Sequence, residues 1–90
     1  MPSNVSGYAN HGGIGVTYDE QGRLEGLADN EMRSLMLRDH GGAVICHQMP
    51  STPWTSDRLA AALDEAAPEI AQHSSVDAYL GDTFLGSTEL

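Results

Sequence analysis

The sequence predicts an α+β fold: a small mixed or antiparallel sheet with two helices on one face, in the order β-β-α-β-α-β-β. Three observations carry this. Apolar residues alternate with period two near both ends of the chain. Two internal stretches carry apolar residues at helical spacing. Gly, Asp, Asn and Pro separate these segments at turn-sized intervals.

Residues 1–12 are small and polar, and are expected as a flexible arm with Tyr8 as its one aromatic anchor. Residues 13–90 are expected as a single α+β domain, since 90 residues do not support two cores. Ile14, Val16 and Tyr18 alternate with Gly15 and Thr17, a strand signal. Asp19-Glu20-Gln21-Gly22 supplies a turn, and Arg23 to Ala28 is expected to return as the partner strand of a hairpin over 14–28. Tyr18-Asp19-Glu20-Gln21-Gly22-Arg23-Leu24 resembles the core of a YD repeat, the hairpin unit of large toxin shells. The resemblance covers seven residues and occurs once, and it implies hairpin chemistry only.

Asp29 or Asn30 stands where a helix cap belongs, and Met32, Leu35 and Met36 follow at i, i+3, i+4, which predicts a first helix running to His40. Gly41-Gly42 ends it. Ala43 to Met49 is short, apolar on both faces and β-branched at Val44 and Ile45, which predicts a central strand. Pro50 and Pro53 stop it. Thr55 or Ser56 caps a second helix with Asp57 in its first turn. Leu59, Ala62, Leu63, Ala66 and Ile70 form its buried stripe, and Pro68 interrupts it. Val76 to Leu80 and Thr83 to Leu85 flank Gly81-Asp82 as a closing hairpin.

Thirteen Asp and Glu face four Arg, with no Lys, for a formal net charge of −9. A surface of that sign repels phosphate and anionic lipid heads, which argues against direct nucleic-acid binding and against membrane association, and favours a protein with a basic surface as partner. No apolar stretch approaches the ~20 residues of a membrane helix. The single cysteine, Cys46, cannot close an internal disulfide, so a reducing, cytoplasmic setting is expected.

Few residues offer chemistry. Cys46 and His47 are adjacent, and on a strand adjacent side chains point to opposite faces, so they form no dyad. Cys46 needs a distant base such as His11 or His73. His11, His40, His47 and His73 lack metal-ligand spacing, and no metal or cofactor is expected. His11-Gly12-Gly13-Ile14-Gly15 is glycine-rich, as phosphate cradles are, but it opens into a strand rather than a helix N-terminus. The pairs Asp19/Glu20, Asp29/Glu31 and Asp64/Glu65 serve solvation, turns and a helix start. Asp57, Asp64, Glu65 and Glu69 share one helical segment and are the expected partner-binding residues. Trp54, in its proline-bounded loop, is either an interface anchor beside them or a lid over the core. The expected function is a non-catalytic acidic protein-binding module, of the physical type of immunity proteins, nuclease inhibitors and phage anti-defence proteins. The alternatives are a structural or accessory subunit of a homo-oligomeric or virion assembly, and a small enzyme using Cys46 or a histidine.

Overall fold

Period-two patterning dominates this chain more than its helical spacings suggest. The computed structural model describes residues 7–88. Along the chain it contains β1 (Gly7–His11), β2 (Ile14–Tyr18), β3 (Leu35–Asp39), β4 (Val44–Gln48), α1 (Ser56–Glu65), α2 (Ala67–Ile70), β5 (Val76–Leu80) and β6 (Thr83–Thr88). The six strands form one antiparallel sheet in the order β1-β2-β6-β5-β3-β4. Among the described residues no helix is long and apolar enough to cross a membrane.

The α+β class, the closing hairpin and the proline-interrupted helical segment are found as expected; three local expectations are corrected. First, part of the N-terminal arm is a strand. Gly7–His11 pairs along its length with Ile14–Tyr18; the remainder of that arm, residues 1–6, lies outside the described residues. The partner of β2 is therefore the chain before it, and Arg23 to Ala28 contributes only a bridge between Leu24 and Tyr18. The Asp19–Gly22 turn itself forms, with the Asp19 carboxylate accepting from the amides of Gln21 and Arg23.

Second, the expected helix ending at His40 is replaced by β3. Leu35 and Leu37 are fully buried while Met32 is 49% exposed, so the i, i+2 pair defines the inward face and the i, i+3, i+4 stripe does not. The reason is tertiary. Leu35 and Leu37 lie opposite Leu80 and Ala78 of β5, and that pairing buries two leucines where a helix would bury one face of methionines. Asn30 takes a left-handed φ of 57° just upstream, which ends any local helix. Gly41-Gly42 closes the β3–β4 hairpin instead of a helix. Asp39 Oδ1 accepts from the amides of Gly41 and Ala43.

Third, β4 is an outer strand, not a central one. Its two apolar faces arise from a bulge, where Leu37 faces Cys46 and Arg38 faces Val44. The extra residue, Ile45, is thereby left over and packs toward the core.

One face of the sheet carries Ile14, Val16, Leu35, Leu37, Val76, Ala78 and Leu80, all buried, and α1 and α2 cover it with Leu59, Ala62, Leu63 and Ile70. No described helix covers the second face. The β1–β2 hairpin joins the rest of the sheet through the β2–β6 seam, whose register pairs are Ile14 with Thr88 and Gly15 with Ser87. At this seam Gly86 passes so near β2 that a Cβ there would stand 1.9 Å from the Gly15 carbonyl oxygen.

Candidate functional site

Thr55 starts α1: its hydroxyl accepts from the Arg58 amide, while the neighbouring Ser56 hydroxyl accepts from Leu24 N–H. With Leu59, Ala62 and Leu63 turned to the core, the outer surface of α1 exposes Asp57, Ala61, Asp64 and Glu65. Pro68 sits in the first turn of α2, where its missing N–H costs nothing. The chain restarts there and presents Glu69, also exposed, beyond Glu65. The four predicted carboxylates are all exposed on α1 and α2, and among the described residues none is within ion-pairing distance of an arginine.

Asp57 and Asp64, two turns apart, flank the β1–β2 hairpin. Asp64 stands 3.6 Å from His11 Nδ1, and His11 Nε2 shares a 2.9 Å hydrogen bond with the Tyr18 hydroxyl, the rings meeting edge to face. Carboxylate, imidazole and hydroxyl in sequence have the outline of a nucleophile triad. The electrostatics oppose that use. Burial, followed by the negative charges of Asp57 and Asp64, pushes the Tyr18 phenol above its ordinary value, whereas a nucleophile needs its ionised form favoured. The group ties the hairpin to the helix.

Glu65 lies at the edge of a shallow cleft of about 270 Å³ with Gln48, Met49, Trp54 and Arg58. Arg58 does not neutralise it. One guanidinium nitrogen of Arg58 donates to the Thr52 and Pro53 carbonyls and the Thr52 hydroxyl, and the group lies 5.1 Å over the Trp54 ring. Trp54 itself is 6% exposed, and its indole N–H donates to the Arg33 carbonyl. It is the lid, and the exposed-anchor alternative is corrected: the ring belongs to the buried core cluster with Leu59 and Leu63. A second cleft of about 370 Å³, lined by Leu27, Ala28, Pro53 and the other side of Trp54, carries the Arg23–Asp29 ion pair on its lining.

The remaining candidates are dispersed. Cys46 is half-buried against the core, while His47 lies opposite Met36 on the other face. His40 is exposed in the β3–β4 turn. The glycine-rich run is a two-residue hairpin turn, with φ of 65° at Gly12 and 102° at Gly13. Among the described residues no three His, Cys, Asp or Glu stand together as a metal site.

Sequence reasoning missed the Glu31–Arg33 clamp. Glu31 is 5% exposed, and both its oxygens accept from the Arg33 guanidinium, at 2.7 and 2.9 Å. Residues i and i+2 share a face only in extended chain, whereas the spacing of Met32, Leu35 and Met36 predicts a helix here. Hydrogen bonding from Arg33, opposed by burial, holds the Glu31 carboxyl below its ordinary value of 4.5. Its folded-state pKa is depressed, so its contribution is fully present above about pH 4.5 and is lost as pH falls through the lower folded value. Glu31→Gln should cost about 1 kcal/mol at pH 7, less than a fully buried charged hydrogen bond because solvent reaches Arg33. Urea unfolding of both proteins at pH 7 and pH 3 checks this: the difference between them should shrink in acid.

The described residues form a two-layer α+β protein, with exposed carboxylates on its helices and a sheet face that no described helix covers. No protein-family model, curated protein or solved structure matches the chain.

Proposed function

We propose that this chain is a non-catalytic protein-binding module whose acidic helical layer occupies a basic surface of a partner protein, in the manner of an inhibitor acting in the cytoplasm. The observation that supports this reading is the exposure of Asp57, Asp64, Glu65 and Glu69, all carried by α1 and α2 and none compensated by arginine among the described residues. Clustered like charge raises the potential over that layer and speeds encounter with an oppositely charged surface. Trp54 acts from beneath this layer by holding the loop that starts α1. The Asp64–His11–Tyr18 contact serves position rather than reaction, and Cys46 lies against the core.

The test is capture from a host extract by the immobilised chain, alongside the triple variant Asp64→Lys, Glu65→Lys, Glu69→Lys. All three positions are exposed; the variant gives up the exposed Asp64–His11 contact at 3.6 Å, so it should keep its circular-dichroism spectrum with a modestly lower unfolding midpoint. The wild-type chain should retain a basic protein that elutes with added salt, and the variant should retain it at least about tenfold less well. Equal retention by the two proteins rejects this helical layer as the docking surface.

A further inference from the structure

The sheet face that no described helix covers differs chemically from the helical layer. Strand alternation places Tyr8, Phe84, Tyr79, Met36 and Val44 on it. Tyr8, Phe84 and Val44 are 56%, 54% and 47% exposed. Tyr79 and Phe84 meet edge to face at 5.6 Å, and the Arg38 guanidinium lies 5.9 Å from the Tyr79 ring centre. Among the described residues the charged groups on this face are Arg38 and Asp77, cross-strand neighbours in the β3–β5 register, and His47, opposite Met36, is formally uncharged. Their charges sum to zero, on a chain of formal charge −9.

We propose that this face is a docking surface for a second copy of the chain, giving a reversible two-fold dimer packed sheet to sheet. Three arguments select that occupant. The face is neutral, so the basic partner expected for the helical layer has no electrostatic reason to choose it. A two-fold contact must be self-complementary, and adjacent positive and negative charges satisfy that condition where a lone charge does not. Arg38 turns to Tyr79 and the Gly42 carbonyl, and neither it nor Asp77 is in an ion pair among the described residues. A two-fold axis beside them sets each Arg38 over the other copy's Asp77. The area also fits. Six strands about 4.8 Å apart, each of five or so residues at about 3.3 Å, give a face on the order of 400–500 Å² in projection. Two such faces meet over roughly 1,000 Å², the lower bound for a specific contact, which makes the dimer reversible rather than obligate. The carboxylates of α1 stand on the far side of a helix about 10–12 Å thick, so their repulsion across the contact is weakened at 0.1 M salt, where the Debye length is about 10 Å, and grows as salt is lowered.

This inference is independent of the acidic-layer reading, and salt separates the two. Like-charged copies repel, so added salt tightens self-association while it weakens binding to a basic partner. Sedimentation equilibrium of the intact chain from about 5 to about 500 µM should show dimer in that range, with a dissociation constant several-fold lower at 0.5 M than at 0.05 M NaCl. Phe84→Asp should leave a folded monomer. Arg38→Asp should weaken the dimer about tenfold or more, and Arg38→Asp combined with Asp77→Arg should restore it. A monomer at every concentration and salt overturns the proposal. So does a dimer that survives Phe84→Asp, which would place the contact on an edge strand, or one lost equally in the single and the combined charge variants.

Discussion

Trp54→Ala should cost about 3–5 kcal/mol, the range for deleting a buried large aromatic, from a total of about 5–13 kcal/mol for a 90-residue domain. Three separate losses add to the cavity. The Arg33 carbonyl loses its indole donor. Arg58 loses the ring it lies over. The loop that starts α1 loses its anchor, although the backbone bond from residue 54 N–H to the Glu31 carbonyl can persist. Trp54→Phe keeps most of the packing and should cost about 1–2 kcal/mol, the value of the missing hydrogen bond plus a small void. Urea midpoints at constant slope measure both. If Trp54→Ala left stability unchanged, the ring could not be a lid. A folded but binding-deficient variant would return it to the docking surface.

Gly12→Ala should destabilise by about 3 kcal/mol. A left-handed conformation costs an L-residue about 1–2 kcal/mol, and overpacking adds about 1–3 kcal/mol. The second contribution is the specific one. A Cβ at position 12 would lie 2.0 Å from the Leu63 carbonyl oxygen, so the hairpin and the last turn of α1 must separate. Gly22→Ala isolates the first contribution, since its φ is 80° and nothing lies within 4 Å; it should cost about 1 kcal/mol. Thermal unfolding of the two variants should differ accordingly. Equal costs would show that hairpin and helix do not touch as described.

The two variants also show where the sequence was informative. Cap, stripe and proline located α1 and its interruption, and Gly81-Asp82 located the last hairpin, because each rests on contacts between near neighbours in the chain. Met32, Leu35 and Met36 misled because a helical i, i+3, i+4 set and a strand's i, i+2 set overlap at Leu35, and the choice depends on Ala78 and Leu80, more than forty residues later. The outer position of β4 was hidden by the Ile45 bulge, which turns an extra apolar residue inward. Gly12 was visible as a glycine but not as a contact, since its neighbour is a carbonyl on another element. For the site, the helical register made the shared side of Asp57 and Asp64 readable. His11 beside Asp64, and the inward turn of Trp54, follow from tertiary packing and have no local signature. Glu31 and Arg33 were legible in principle, as an i, i+2 ion pair, once the segment is taken as extended.

The β2–β6 seam bears on how the chain is made. Ile14 and Val16 emerge from the ribosome well before β6, and β1 can cover only one edge of their strand. The other edge waits for Gly86 to Thr88, which are synthesised more than seventy residues later. At about 5–20 residues per second the nascent hairpin spends several seconds with an open, apolar-sided edge. Newly made chains should therefore depend on chaperone cover far more than the finished protein does, and a ribosome stalled before β6 should expose a segment that pairs readily with strangers.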